Sequence, residues 1–468
     1  MTTDPYALSP GGPAAVATRT PRERVPYPAA PSWLAAAALG AGAVAAVALP
    51  ERPFGLGTVL AIGAIGAAVG AAVRRRPEPS DVLLASLLLA LLSMFVLRDA
   101  EWLLALDLLA VATLGTLVLA GARTWHAFIA AGVSIWARLA PALPYVLGPL
   151  ARRSAAVTSP RHRGAVRGSL LAVVLLVVFG ALFASADAAF ASLLGGLVPT
   201  VDDLLVARLV VGAFAVALVG AGVLTRLRPV AVPPLPEPVA RSRAEWAVPL
   251  VALDTLFAAF VAVQLAVLFG GREHVVATNG LTYAEYARQG FFQLVAVVAL
   301  TLALIAFVVA RVSFEDARER LVARAVLLPL CALAFVVLAS AWRRLGLYES
   351  VYGLTRLRLF VHAVIVGLAL LLAVVVVALA RWRGEWLPRA FAAVAAATLL
   401  GLNVANPDAL IARRAVETGR IDPGYLVGLS ADAAPDLARI GICVDLPERE
   451  SWLSWNAARD TARHAACR

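Results

Sequence analysis

The chain of 468 residues is 61% hydrophobic and only 15% charged, against roughly 45–50% apolar and about 25% charged in ordinary globular proteins. A mean hydropathy of +0.84 requires lipid around most of the surface, which excludes a soluble enzyme, a disordered protein and a nucleic-acid binder. The net charge of +11 reflects 41 basic against 30 acidic residues, and since lysine is absent every basic side chain other than histidine is arginine. With the abundant Ala, Gly and Pro, that bias suits a high-GC bacterial genome.

Residues 1–31, with Pro5, Pro10, Pro13, Pro21, Pro26, Pro28 and Pro31, read as a disordered cytoplasmic tail. Apolar runs then fall near 33–49, 54–73, 82–97, 102–121, 169–186, 209–225, 247–269, 291–310, 325–342, 359–380 and 390–406. A spanning helix takes about 20 such residues, so the expectation is an all-α polytopic transmembrane helix bundle of about eleven spans. Gly63, Gly66 and Gly70 in the second run read as small-residue packing positions.

Residues 125–150 are apolar but hold Arg138, followed by Pro141, Pro144 and Pro149. A central arginine costs about 2.5–3.5 kcal/mol on insertion, so this stretch reads as an interfacial helix anchored by Trp125 and Trp136. Six spans and this helix make an N-terminal bundle over 32–225. A cytoplasmic linker over 226–246, rich in proline from Pro229 to Pro238, separates it from five spans over 247–406. Thr282 to Glu285 forms a capping box, and Ser313 to Asp316 a second helix start before a span that Pro329 should kink.

The arginines concentrate in alternate loops, including Arg74–Arg76, Arg152 to Arg167, Arg226 to Arg243, Arg311 to Arg324 and Arg381 to Arg389. Basic loops stay in the cytoplasm, which places the N-terminus inside and the C-terminus outside in a bacterial cytoplasmic membrane. The tail, 407–468, is then extracytoplasmic and helical: one helix over Ala409–Glu417 stopped near Gly419, one capped by Ser430, and one over Pro447–Ala466 with Trp452 and Trp455 on its apolar side. About 60 residues make a thin core. A Cys443–Cys467 disulfide would staple it, worth on the order of 3 kcal/mol for a loop of about 25 residues. Cys331 reads as an inert packing residue within a span.

Ionisable groups inside spans are costly and are therefore functional candidates. Asp107, Asp254 and His362 stand out, with Gln264 further along the Asp254 span and Asn403 and Asn406 closing the last span. Each has a structural alternative: interhelical bonding for the acids, packing for His362, helix capping for the asparagines. The segment 343–358, expected as an outer loop, carries Arg343, Arg344, Arg356 and Arg358 against Glu349 alone. Such a cluster suits a phosphate or carboxylate, or the arginines snorkel at the interface. Tyr283, Glu285, Tyr286 and Arg288 form a second polar group beside the membrane. No Walker loop, H-E-x-x-H or paired-cysteine motif occurs, so neither a metal nor a cofactor is expected.

Several segments together resemble an uncharacterised family of bacterial polytopic membrane proteins, the domain of unknown function 4153/4173 group. They are Phe183–Phe190, Gly280–Phe292, Tyr352–Arg358, Asn406–Asp408 and Leu429–Ala433. The resemblance implies an integral membrane protein and supplies no chemistry. Three readings remain open. The first is transport or handling of an anionic or envelope ligand at an outward-facing site. The second is a non-catalytic assembly or signalling partner. The third is a membrane enzyme acting on a lipid-linked substrate. The expected partners are membrane lipids and such a ligand, with no nucleic acid.

Overall fold

The computed structural model describes residues 29–73, 78–155, scattered positions from 168 to 187, 202–227, 232, 238–239, 241–269, 291–314, 316–419, 421–447 and 451–465. Among these the protein is all-α. The N-terminal helices are α1 (Ser32–Ala48), α2 (Leu56–Ala72), α3 (Pro79–Leu97), α4 (Glu101–Ala120), α5 (Trp125–Ala137), α6 (Leu139–Ala155) and α7 (Asp203–Leu227). Next come α8 (Arg243–Phe269), α9 (Phe291–Arg311), α10 (Ala317–Tyr352), α11 (Arg356–Arg381) and α12 (Leu387–Ala405). The tail adds α13 (Pro407–Thr418), α14 (Pro423–Val427), α15 (Ala434–Leu437) and α16 (Ala457–His464), with short 3₁₀ turns between them. In lipid only a helix satisfies its own backbone groups, which is why the apolar runs take this form.

Among the described residues, eight helices are long and apolar enough to cross a membrane, or nine if a bent pair counts as one span. This is fewer than the expected eleven. Helices α1 and α2 have 17 residues each, about 25 Å of rise against a hydrocarbon core of about 30 Å; the turn through Pro50 and Pro53 cuts both runs short. The expected span 169–186 lies almost wholly outside the described residues. The bent pair is α5 and α6, which meet at 63° next to Arg138. The single interfacial helix expected over 125–150 is therefore an elbow. Trp125 and Trp136 stay exposed on its first arm, while Ala142 and Val146 on the second are buried against α7.

Three packed groups make up the bundle. Helices α1, α2, α6 and α7 share one core, α3 and α4 share another with α12, and α8 to α11 form the largest. Close helix approach uses glycine, but not at Gly63, Gly66 and Gly70, whose missing side chains face open space. The crossings are at Gly42 of α1, where a Cβ would sit 2.8 Å from the carbonyl oxygen of Gly212 on α7, and at Gly220, where it would meet Ala142. The described part of the proline-rich linker is strapped down: Val239 exchanges backbone hydrogen bonds with Arg311 and Ser313, and His126 Nε2 lies 2.9 Å from the carbonyl oxygen of Val232.

Helix α12 follows α11 in the chain yet packs along α3 and α4, held at both ends by buried polar pairs. Near its start Arg389 lies 2.9 Å from Asp81 on α3 and donates to the Ala122 carbonyl and to Ser80. Near its end Asn403 donates to Asp107 of α4 at 2.9 Å. Asn406 then caps α13, and Gly419 (φ 65°) ends it, as the sequence reading expected. The expected helix over 447–466 begins later, because Asn456 accepts from the Ala458 and Arg459 amides and starts α16 there. Trp452 sits in a 3₁₀ turn and is exposed.

Removing Arg389 strands the buried Asp81 carboxylate, so Arg389→Ala should cost about 3–5 kcal/mol. The double replacement Arg389→Met with Asp81→Leu should recover much of that loss in a thermal melt in detergent. Cys443 is disulfide-bonded and Cys331 is free and buried, while Cys467 lies outside the described residues. A Cys443–Cys467 pairing predicts that only Cys331 is alkylated in protein denatured without reductant.

Candidate functional site

Helix α10 has 36 residues, about 54 Å of rise, and so projects well beyond a hydrocarbon core. The segment 343–358 is consequently not a loop: residues 343–352 complete α10, and only Gly353 to Thr355 turn the chain. No proline interrupts that helix after Pro329, and Gly353 at φ 76° ends it. Thr355 then caps α11 by accepting from the Arg358 amide. Helical spacing sets Trp342, Gly346 and Glu349 on one face of α10, opposite Leu359 and His362 of α11.

The tail folds back over this turn and borders a half-open cavity of about 1160 Å³. Leu410, Arg414 and Thr418 line it from α13, with Asp422 and Tyr425 at the start of α14. His362 Nδ1 lies 3.1 Å from Glu349 Oε1 and 3.2 Å from the Arg358 carbonyl oxygen. The Glu349 carboxylate and the Arg358 carbonyl oxygen thus lie at the same ring nitrogen. The Trp342 ring meets the imidazole edge-on, with centroids 4.2 Å apart.

The roof is anchored by charge. Arg356 donates to both oxygens of the fully buried Asp408, at 2.8 and 2.5 Å, and to the Gly428 carbonyl. Its backbone N–H donates to the Tyr425 hydroxyl, and Ser430 N–H donates to Asp408 at 2.8 Å. Burial raises the Asp408 pKa, but the Arg356 guanidinium and the Ser430 amide more than offset this and hold the carboxyl below its ordinary value. Further along, Arg98 pairs with Asp432 at 3.4 Å, and Asp99 N–H donates to Asp432 at 2.7 Å. Arg459, only 2% exposed, binds Asp99 together with the Phe54 and Ser454 carbonyls. Burial pushes both Asp99 and Asp432 up, against the pull of these arginines and amides.

The residues singled out in the sequence do not converge. Asp107 is fully buried against Asn403 in the bundle, and Asp254 is half-buried on α8 with Oδ1 lacking a hydrogen-bond partner. His362 alone of the three lines the cavity. Arg344 donates to Gln264 at 3.0 Å, and Arg358 serves the Tyr352 and Gly353 carbonyls while stacking 4.2 Å over Tyr348. Arg343 is exposed on α10. Tyr283, Glu285, Tyr286 and Arg288 lie outside the described residues, as does the capping box they include. Sequence reading missed Asp81, Asp99, Asp432 and Arg459, whose partners are hundreds of residues away, and the α13 wall of the cavity. Among the described residues no group of His, Cys, Asp or Glu could hold a metal ion.

Long apolar helices joined by buried polar pairs make this a polytopic α-helical membrane protein. The sequence model of the family described as domain of unknown function DUF4153 matches residues 83–440. That is most of the chain, and the protein belongs to this family. No curated protein and no solved structure matches it. Three of the segments that carried the resemblance, Tyr352–Arg358, Asn406–Asp408 and Leu429–Ala433, meet in the Arg356–Asp408–Ser430 anchor.

Arg356→Gln should release the roof. Leaving Asp408 buried and unpaired costs about 3 kcal/mol or more, so limited proteolysis should cut 419–447 far faster than in the wild type. The sign with pH follows from the depressed Asp408 pKa: the anchor contributes fully above the ordinary carboxylate value near 3.8 and is lost only as pH falls through the lower folded value. Tail protection should therefore persist in mild acid. Release already at about pH 5 would contradict the anchor's role.

Proposed function

We propose that this protein binds and handles a ligand of the cell envelope at an outward-facing site, and that the site is the cavity between the α10–α11 turn and the tail. The observation that carries the reading is the Glu349–His362 pair facing a large, half-open cavity lined by both polar and apolar side chains. Large concave sites of mixed lining are the usual form of ligand pockets. The three arginines Arg344, Arg356 and Arg358 serve the protein's own groups, so the reading rests on the cavity rather than on an arginine cluster. Asp107 and Asp254 share no space with it, which leaves a continuous polar path through the bundle without support among the described residues.

The proposed setting is a bacterial cytoplasmic membrane with the N-terminus inside and the tail outside. Its support is the arginine content of alternate loops and the position of the tail at the end of the bundle where α1 ends and α2 begins. Solid packing around Asp107 favours the second reading, an assembly partner, in which the tail rather than the cavity makes the contact. The carboxylate-oriented histidine favours the third, an envelope enzyme, with His362 Nε2 as the base.

Single cysteines at the exposed positions Ser242 and Ser350 should label from opposite sides of sealed membranes; labelling of both from one side would refute the orientation. A photo-crosslinking residue at Gly346 should capture a distinct small envelope molecule in whole cells. The same group at the exposed Leu300 of α9 should capture bulk lipid. Identical adduct profiles would remove the cavity as a site, and a protein adduct at Gly346 would favour the assembly reading.

A further inference from the structure

The cavity straddles two environments. Its floor, Trp342, Leu359 and His362, belongs to helices that can span the membrane, and its roof is the tail. A ligand held there would sit near the level of lipid headgroups, with Leu354, Leu359 and Leu410 in the lining for apolar chain. The charges lining it are few and mixed. Glu349 and Asp422 are acidic, and Arg414 is the one arginine of the lining, itself 3.4 Å from Glu417 on the solvent side. The Glu349 carboxylate faces one His362 ring nitrogen and has acceptor capacity beyond that one contact. The aromatic rings of Trp342, Tyr352 and Tyr425 line the same space. A carboxylate among aromatic faces is an environment for an ammonium group, and the single guanidinium at the rim suits a phosphate.

We propose, resting on the reading of the cavity as a ligand site, that it takes the headgroup of a zwitterionic amine-bearing phospholipid, with the ammonium group at Glu349 and the phosphate toward Arg414. The same lining disfavours a purely anionic lipid, because it offers two carboxylates against one arginine.

The test is native mass spectrometry of the full-length protein titrated with phosphatidylethanolamine or phosphatidylglycerol. The wild type should bind the ethanolamine lipid about tenfold more tightly, the size expected of one charge-assisted hydrogen bond. Glu349→Gln should abolish that preference. A Cβ at Gly346 meets nothing within 4 Å, so Gly346→Trp should block the part of the cavity beside Trp342 and Glu349 without disturbing the helix and remove binding of both lipids. Gly346→Ala, with an unchanged melting temperature, controls for folding. A wild-type preference for phosphatidylglycerol, or an ethanolamine preference surviving in Glu349→Gln, overturns the assigned headgroup while the cavity stands if Gly346→Trp still abolishes binding. Binding unchanged in Gly346→Trp overturns both.

Discussion

The pinning of α12 to α3 and α4 is the constraint on which the rest of the architecture depends. In a hydrocarbon medium packing alone discriminates weakly between helix rotations, since lipid is as apolar as leucine. A polar side chain facing lipid is a far larger error. Arg389 with Asp81 and Asn403 with Asp107 therefore act as two keys at different depths, about 21 Å apart along α12. Two keys fix rotation and axial position together. Because α11 precedes α12 directly, the same keys place the whole α8–α11 group against the N-terminal helices. Because Asn406 follows directly, they also decide where the tail starts.

From that starting point the tail reaches both halves of the bundle. Asp408 sits two residues into α13 and meets Arg356 at the start of α11; Asp432 meets Arg98 beyond α3; Arg459 reaches the turn before α2 and Asp99. These contacts make the tail a cap over the helix ends and not a separate domain with a core of its own. Its apolar clusters are small, centred on Ile411, Leu426 and Leu437 in one place and Ala431 and Ala458 in another. The cavity is a by-product of the same geometry. Helix α10 ends and α11 begins at one turn, and the cap packs there on Leu354 and Leu359, leaving space between α10 and α13.

Much of the membrane architecture was legible because hydropathy is a local property: the ends of α3, α4, α8, α9, α11 and α12 fall within a few residues of the apolar runs. Helix caps were legible for the same reason at Asn406 and Gly419, where the signal lies within one turn. The elbow at Arg138 was not, since hydropathy does not say where a helix bends once the run has begun. Helix α10 runs past its signal: Arg343, Arg344 and Glu349 end the apolar run but are good helix formers, so the helix continues for ten residues beyond 342. The site was legible only at His362. Glu349 was visible merely as the lone acid among arginines, and α13 as an ordinary surface helix. Their meeting depends on the tail's path, which is written in pairs of charges separated by 52 to 360 residues and carries no periodicity.

The arginines of 343–358 also lose their force as an exception to the charge rule for loops. Counted in sequence, four arginines on the proposed outer face weigh against that orientation. Counted in the structure, Arg356 is neutralised by Asp408, Arg358 is satisfied by carbonyls and aromatic faces, and Arg344 is held by Gln264. Asp408 lies in the tail, so the neutralising partner arrives only when the last part of the chain has been made. An arginine at the head of α11 thus stands charged and unpaired until the tail docks, and then becomes the link between membrane helix and cap. The Arg356 backbone N–H bonding Tyr425 and its side chain bonding Asp408 fasten two walls of the cavity at one residue. Formation of the cavity and completion of the fold are in this sense the same event, which is why Arg356 belongs to the architecture while Glu349 and His362 are left facing the cavity.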